Sequence, residues 1–266
     1  MFSEPFRNRV VVRGAGELAS GVINRLSLEG FEVVALEQEH PSCVRRLVCY
    51  AEALYEGEVS INGVTAKRAD AVEGAEEMLP AGFVPVLIDP DAKSLSALKP
   101  SILIDGRLLK RNIDTSVGMA PLVIGLGPGF TAGENCHAAV ETNRGESLGQ
   151  VIYKGSPQED TGVPAPVEGI AEERVLRAPT DGTLRCRKNI GDSVRAGDRI
   201  ADVAGKPVVS RIDGIVRGLA RDGLHVKRGQ KIGDVDPRGS KEALYKISDK
   251  AQAVADGVLK AIQHFL

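Results

Sequence analysis

The sequence predicts an α/β domain built on a parallel sheet, a small all-β domain, and a terminal helix. Three observations predict this. Short apolar strands end in an acid or a glycine through the first half of the chain: F-E-V-V-A-L-E (31–37), P-V-L-I-D (85–89), S-I-L-I-D (101–105) and P-L-V-I-G (121–125). Asp181–Val203 then matches Asp213–Val235 without gaps, with the same residue at nine of 23 positions. Finally, Leu244, Ile247, Ala251, Val254, Val258, Ile262 and Phe265 recur at helical spacing.

The bulk numbers bound the function. The chain has 266 residues, 42% hydrophobic, with formal net charge −2. That suits one large or two modest domains. It implies no broad attraction to nucleic acid, and aromatic side chains are too few for base stacking. No apolar run is long enough for a membrane helix, and Met1–Arg9 lacks the apolar core of a signal peptide. Cys43, Cys49, Cys136 and Cys186 are scattered without a Cys-x-x-Cys, which points to reduced thiols in a cytoplasm and to no structural metal site. The expected partners therefore exclude nucleic acid and membrane.

Arg9–Arg13, the turn Gly14-Ala15-Gly16 and the helical pattern of Glu17–Glu29 lead into the strand ending at Glu37. This is a strand, glycine-rich turn, helix and strand, written G-x-G-x-x-A at Gly14, Gly16 and Ala19. Backbone N–H groups at such a helix start suit a phosphate, and Glu37 stands where a dinucleotide site places its ribose-binding acid. Glu17 in the first turn opposes a phosphate. A tight turn without a nucleotide fits equally. Pro41 opens a predicted helix over 41–47, with Arg45 and Arg46 solvated or facing an anion. Asn62-Gly63 turns a hairpin within 58–66, and residues 70–79 read as a short helix. The strands ending at Asp89 and Asp105 follow. Asp89 reads as a turn or cap residue before Pro90. Asp105 is the candidate site acid, because Arg107, Lys110 and Asn112 lie just beyond it; a solvated loop is the alternative.

The densest chemistry lies in Val123–Arg144. A strand runs into a loop carrying Gly125, Gly127, Gly129 and Gly133, then Glu134, Cys136, His137 and Glu141. It is no Walker loop: the lysine is absent and Pro128 removes a donor. Residues 136–142 and 148–153 alternate as a hairpin. In a strand Cys136 and His137 face opposite ways, and His137 lies about 13 Å from Glu141. A shared metal or an acid–base pair then fails unless residues 134–137 are loop. Buried Cys136 is one reading, reactive Cys136 the other.

A linker at 155–168 separates residues 1–160, the ligand-binding domain with its hairpin, from residues 161–238, the repeat. Residues 239–266 form the helix, with Ser240 able to cap it and Gly257 off the apolar stripe. The pattern A-P-T-D-G-T-L (178–184) and G-D-S-V-R-A-G-D-R-I (191–200) resembles the lipoyl/biotinyl barrel-sandwich hybrid family. The hairpin that would carry the modified lysine is the short Ala204–Pro207, so Lys206 reads as a turn residue and neither biotin nor lipoate is expected.

The runs R-G-A-G-E-L-A-S-G (13–21), S-I-L-I-D-G-R-L-L-K-R-N (101–112), V-I-G-L-G-P-G-F-T-A-G-E-N-C-H-A-A-V-E-T-N-R-G (123–145) and R-V-L-R-A-P-T-D-G (174–182) resemble the YqeB family, accessory proteins of the selenium-dependent molybdenum hydroxylase system. The N-terminal part is also similar to XdhC-type maturation factors, which carry a Rossmann-like domain. The resemblance implies a Rossmann-like domain plus a barrel-sandwich hybrid domain. It implies a cytoplasmic maturation factor that binds a phosphate-bearing molybdenum-cofactor species or a nucleotide such as NAD(P). Gly14, Ala15, Gly16, Gly125, Gly127 and Gly129 would supply backbone donors, and Arg107 and Lys110 charge. Glu37 and Asn112 complete the expected lining. Asp105, Cys136 and His137 are the candidate catalytic residues, with His137 lowering the thiol pKa. No metal ligand set is expected. The hydroxylase apoenzyme, other maturation factors or a second copy of the chain are the expected partners. An NAD(P)-dependent oxidoreductase and a non-catalytic docking scaffold are the alternatives.

Overall fold

The computed structural model describes residues 8–266 except 161 and 165. Residues 1–7, on which the reading of the N-terminus rests, lie outside the described residues. The chain divides into two compact units. Unit 1 comprises Met1–Pro41, Cys49–Thr161 and Ile247–Leu266; unit 2 comprises Ser42–Val48 and Gly162–Lys246.

Unit 1 begins with β1 (Arg9–Arg13), α1 (Glu17–Leu28) and β2 (Glu32–Glu37). A short α2 (Ala53–Glu56) leads to the hairpin β3 (Glu58–Ile61) and β4 (Val64–Ala69). Then come α3 (Val72–Met78), β5 (Val84–Ile88), α4 (Leu95–Leu98), β6 (Ile102–Asp105), β7 (Leu122–Leu126), β8 (Ala138–Val140) and β9 (Val151–Ile152). These nine strands form one sheet in the order β3-β4-β5-β2-β1-β6-β7-β8-β9. The strands from β4 to β8 run parallel, and β3 and β9 pair antiparallel at the two edges. Central strands such as Val10–Val12 are apolar throughout because both faces are covered.

The Rossmann-like expectation is corrected here. A doubly wound sheet needs a helical crossover after each parallel strand. Only α1 is a full-length crossover helix. β6, β7 and β8 follow one another through loops, and the sheet is mixed. One face packs Val11, Val34, Leu103 and Val123 against Ala75 of α3, Leu79 just past its end, Leu98 of α4, and the loop residues Phe130 and Cys136. The other face is covered by α1 and the terminal helix, whose residues Val254, Val258 and Ile262 are fully buried. Each such side chain contributes roughly 1.5–3 kcal/mol.

The predicted helix over 41–47 is absent: short 3₁₀ turns at Arg46–Val48 and Tyr50–Glu52 replace it. Arg45 and Arg46 bind backbone carbonyls. Arg45 donates to the carbonyls of Ala243, Leu244 and Lys246, and Arg46 to that of Leu219, all within unit 2.

Unit 2 holds β10 (Val175–Arg177), β11 (Gly182–Cys186), β12 (Ser193–Val194), β13 (Arg199–Val203), β14 (Lys206–Val209), β15 (Gly214–Leu219), β16 (His225–Val226) and β17 (Lys231–Asp236). They make two antiparallel sheets, β10-β17-β15-β12 and β14-β13-β11-β16. Each repeat copy keeps its two long strands in one sheet and gives its short middle strand to the other copy. β12 pairs with β15, and β16 with β11. The loops match as well: Asp213 accepts from Ala196 N, and Asp181 from Arg228 N, both at 2.8 Å. Unit 2 is described by these two exchanged sheets, and the barrel-sandwich expectation is set aside with the carrier resemblance that suggested it.

The terminal helix is α5 (Asp249–Phe265). It starts later than Ser240 because Ser248 supplies the N-cap, accepting from Ala251 N. Ser240 instead accepts from Ala243 N ahead of a 3₁₀ turn. α5 lies parallel to α1: Gly21 meets Ala251, and Arg25 meets Asp256. Gly257 is no interruption on an outer face. A Cβ there would lie 2.3 Å from the Gly149 carbonyl, so glycine permits the close approach.

Candidate functional site

In a parallel sheet the ligand crevice lies beyond the carboxyl ends of the strands. In unit 1 that edge gathers Arg13, Glu37, Asp105, Leu126 and Glu141, the last just past β8. Both α1 and α5 begin beside it.

The turn after β1 is tight. Gly14 adopts φ +93° and donates to Leu36 O. A Cβ on it would lie 3.1 Å from Gly106 O, so glycine is needed for the approach of two loops. Glu37, the expected ribose acid, folds back onto this turn. It accepts from Ala15 N and Gln38 N at 2.8 Å each. Burial pushes its pKa up against these two donors. The amide of Ala15 is thus occupied by the chain itself. The third small position, Ala19, packs on Gly106 and sets the distance between helix and loop. Gly16 is the N-cap of α1 and has no side chain with which to accept a bond from the first turn.

Asp105 is buried at the end of β6 and is fully engaged. Arg107 Nη2 and Thr115 Oγ1 each donate to its Oδ2 at 2.6 Å, and Arg107 Nε to Oδ1 at 3.0 Å. Arg107 Nη2 also reaches Asp114 Oδ1 at 2.6 Å. Arg13, 1% exposed, donates to both oxygens of Asp114 at 2.9 Å, to Thr115 Oγ1 and to Pro90 O. The Arg13 guanidinium, with Arg107, holds the Asp114 pKa down at about 2. Asn112 clamps Thr115 from both sides, accepting from its N and donating to its O. Lys110 pairs with Asp160 at 2.6 Å. The charges expected for a ligand are therefore spent on the protein's own carboxylates. Asp105 is a structural anchor, not an acid facing a crevice.

The glycine wall after β7 is filled in the same way. A Cβ on Gly125 would sit 2.1 Å from the Phe130 ring, and one on Gly129, at φ +100°, 2.5 Å from the backbone of Arg111 and Asn112. Gly127 faces Thr142 Oγ1. Here glycine makes room for neighbouring chain.

Cys136 is fully buried against Phe130 and Val123, and burial pushes its thiol up to about 11. His137 does not activate it. Its ring Nδ1 accepts from Val123 N at 2.9 Å, and the ring lies edge-on to Phe265, toward α5. The nucleophile reading of Cys136 is corrected on this ground: a thiol with no cation beside it and no solvent contact stays protonated. Glu141 is also buried, accepting from Asn143 N and Gln158 N at 2.7 Å each. Among the described residues no group of three or more His, Cys, Asp or Glu side chains is placed to hold a metal ion.

Four residues at this edge escaped sequence reasoning: Arg13, Asp114, Thr115 and Lys250. Arg13 had a signal, as an arginine closing an otherwise apolar strand. Lys250 had none, because it sits on the polar side of α5 and only tertiary packing brings it here. It is half-buried in the first turn of α5, within electrostatic reach of Arg144, Glu17, Asp160 and Glu141. Desolvation, with Arg144 beside it, lowers its pKa despite the three carboxylates.

No protein-family model matches the chain. It is 48% identical over 253 residues to the uncharacterized protein YqeB of Escherichia coli (strain K12), which covers 95% of this chain and 47% of that protein. The chain thus spans about half the length of the curated relative it matches. Among solved structures, an aspartoacylase family protein from Mesorhizobium loti is 12% identical, covers 85% of this chain and 84% of its own, and has a TM-score of 0.27. A succinylglutamate desuccinylase/aspartoacylase from Rhodobacter sphaeroides is 16% identical with the same coverages and a TM-score of 0.26. The ectoine utilization protein EutE (DoeB) from Ruegeria pomeroyi is 14% identical, covering 85% and 56%, with a TM-score of 0.23.

These findings correct the resemblance. None of these matches is an XdhC-type factor or a lipoyl/biotinyl carrier, and the YqeB relative is described as uncharacterized. The likeness therefore brings no molybdenum-cofactor role to this chain. The structural likenesses are too slight to bring a hydrolase activity either.

Proposed function

We propose that unit 1 binds a small phosphate-bearing ligand at the carboxyl edge of its sheet, at the start of α1. One observation carries this reading. The 12-residue α1 opens directly from the Gly14–Gly16 turn with a glycine N-cap, so no N-cap side chain covers its first-turn amides. Those amides and the helix dipole favour an anion there, and Glu17 sets how much of that attraction survives. The ligand class is a nucleotide or another phosphate monoester. Glu37 serves this site by shaping the turn through Ala15 N rather than by meeting a ribose. A cytoplasmic setting goes with this reading, since all four cysteines are free thiols. No helix among the described residues is long and apolar enough to cross a membrane.

Thermal denaturation with inorganic phosphate, ADP, NAD(P) and a pterin monophosphate tests the proposal. The expected result is a saturable rise in Tm with at least one phosphate ester, lost in Gly16→Asp. Gly16 lies at φ −70°, which aspartate adopts without strain, and its carboxylate would cap α1 and repel the ligand. No shift with any of the four at millimolar concentration would remove the reading.

A further inference from the structure

We infer that the outward face of the sheet β14-β13-β11-β16 in unit 2 is a docking surface for an acidic segment of a partner protein, met by Arg185, Arg187 and Arg199. Residues directly opposite in an antiparallel pair share a face. Arg185, Asp202 and Pro207 stand opposite one another across β11, β13 and β14, and Arg199 stands opposite Val209 on the same sheet. The Asp202 side chain is 5% exposed and holds two of the arginines. Arg187 Nε donates to its Oδ2 at 2.7 Å, and Arg199 Nε to its Oδ1 at 2.6 Å. Both guanidinium groups still face outward, 60% exposed for Arg187 and 51% for Arg199. Anchored through Nε, Arg187 keeps both Nη groups for a two-pronged bond to a carboxylate outside. Arg185 is as open, and reaches Asp222 only at 3.4 Å.

The repeat supplies an internal comparison. Asp234 is the counterpart of Asp202 and stands opposite Gly218. There the nearly buried Arg174 takes both carboxylate oxygens, and Val44 packs on Gly218. One copy's face is thus covered by the unit's own chain. The other copy's face is left open, with three arginines on it.

Charge and composition choose the partner. Unit 2 carries 19 Lys and Arg against 12 Asp and Glu, a formal charge of +7 that the −2 of the whole chain conceals. The occupant is therefore acidic. One exposed ion pair contributes little in water, so the occupant must meet several arginines at once. Val209 and Pro207 are exposed beside the arginines. They suit apolar side chains set between carboxylates, rather than a phosphodiester backbone.

Fluorescence anisotropy of the full chain with a labelled peptide repeating Glu-Asp-Leu tests this. Binding should saturate and should weaken between ~50 and ~200 mM salt. Arg187→Gln with Arg199→Gln should lower the affinity about tenfold. Arg228→Gln with Lys241→Gln, the same change in charge elsewhere in unit 2, should lower it about twofold at most. Arg185→Gln leaves both arginine bonds to Asp202 in place. It should keep the native Tm and lower the affinity about threefold, so the test holds even where the first double variant fails to fold. No saturable binding, or an equal loss in the two double variants, would overturn the inference. Tighter binding of a DNA duplex than of the peptide would overturn it in favour of nucleic acid. Salt-dependent self-association of the chain without peptide binding would overturn it in favour of a second copy.

Discussion

Two corners of one sheet edge handle charge in opposite ways. At the ends of β1 and β6, Arg13, Arg107, Asp105, Asp114 and Thr115 satisfy one another almost completely. At the starts of α1 and α5, Lys250 lies near Glu17, Glu141 and Asp160, of which Asp160 pairs with Lys110 and Glu141 with backbone amides. The first arrangement is stiff: a buried charge with matched partners costs most when one partner is removed. The second stores an unfavourable charge, and such places are where chemistry is most often found. The lesson is that density of reactive residue types does not mark a site. The residues from Val123 to Arg144 are the richest in the sequence, yet the fold uses them to seal a core.

The comparison can be broken by mutation. The largest effect is expected from Asp105→Ala, which leaves Arg107 and Thr115 without their buried acceptor and should cost about 3–5 kcal/mol in urea denaturation. A loss under about 1 kcal/mol would mean that the network is dispensable. Gly125→Ala drives a methyl group into the Phe130 ring and should cost roughly 1–3 kcal/mol. A neutral result would show that the loop after β7 can move aside and expose a cavity. Ser248→Ala removes the cap that starts α5 beside Lys250, with an expected loss of about 1 kcal/mol.

The pH dependences should have opposite origins. The Asp114 pKa is depressed in the folded state from 3.8 to about 2. Its contribution is complete above the unfolded value and fades as pH falls through 2. Lys250 is also depressed, but as a base. The folded state then binds fewer protons than the unfolded state between its lowered pKa and 10.5. Stability should therefore rise with pH across that window. Lys250→Met should be more stable than the wild type at neutral pH, and the difference should shrink toward pH 10.5. A constant difference would mean that the lysine titrates normally. The subtlest measurement is thiol labelling: Cys136 should resist iodoacetamide in the folded protein and react after urea. Rapid native labelling would restore it as a candidate.

Much of the strand pattern was legible in the sequence, because strands buried on both faces are continuous apolar runs, as in Val10–Val12 and Ile102–Ile104. The glycine-rich turn was legible too, since Gly14 needs a positive φ. So was the repeat of unit 2, because identical turns demand glycine and aspartate at matching places, as Asp181 and Asp213 show. Sequence alone could not say what each glycine admits. Gly125 makes room for Phe130 and Gly129 for the backbone of Arg111, and a composition reads the same whether the space holds a ligand or a neighbouring chain. It could not pair Arg13 with Asp114, a hundred residues away, nor bring Lys250 to the carboxyl edge. It could not show that each repeat copy lends its short strand to the other. Those outcomes depend on long-range packing, which decides whether a charge finds a partner. Local pattern determines which elements form; only their assembly decides which polar groups are satisfied and which remain available for chemistry.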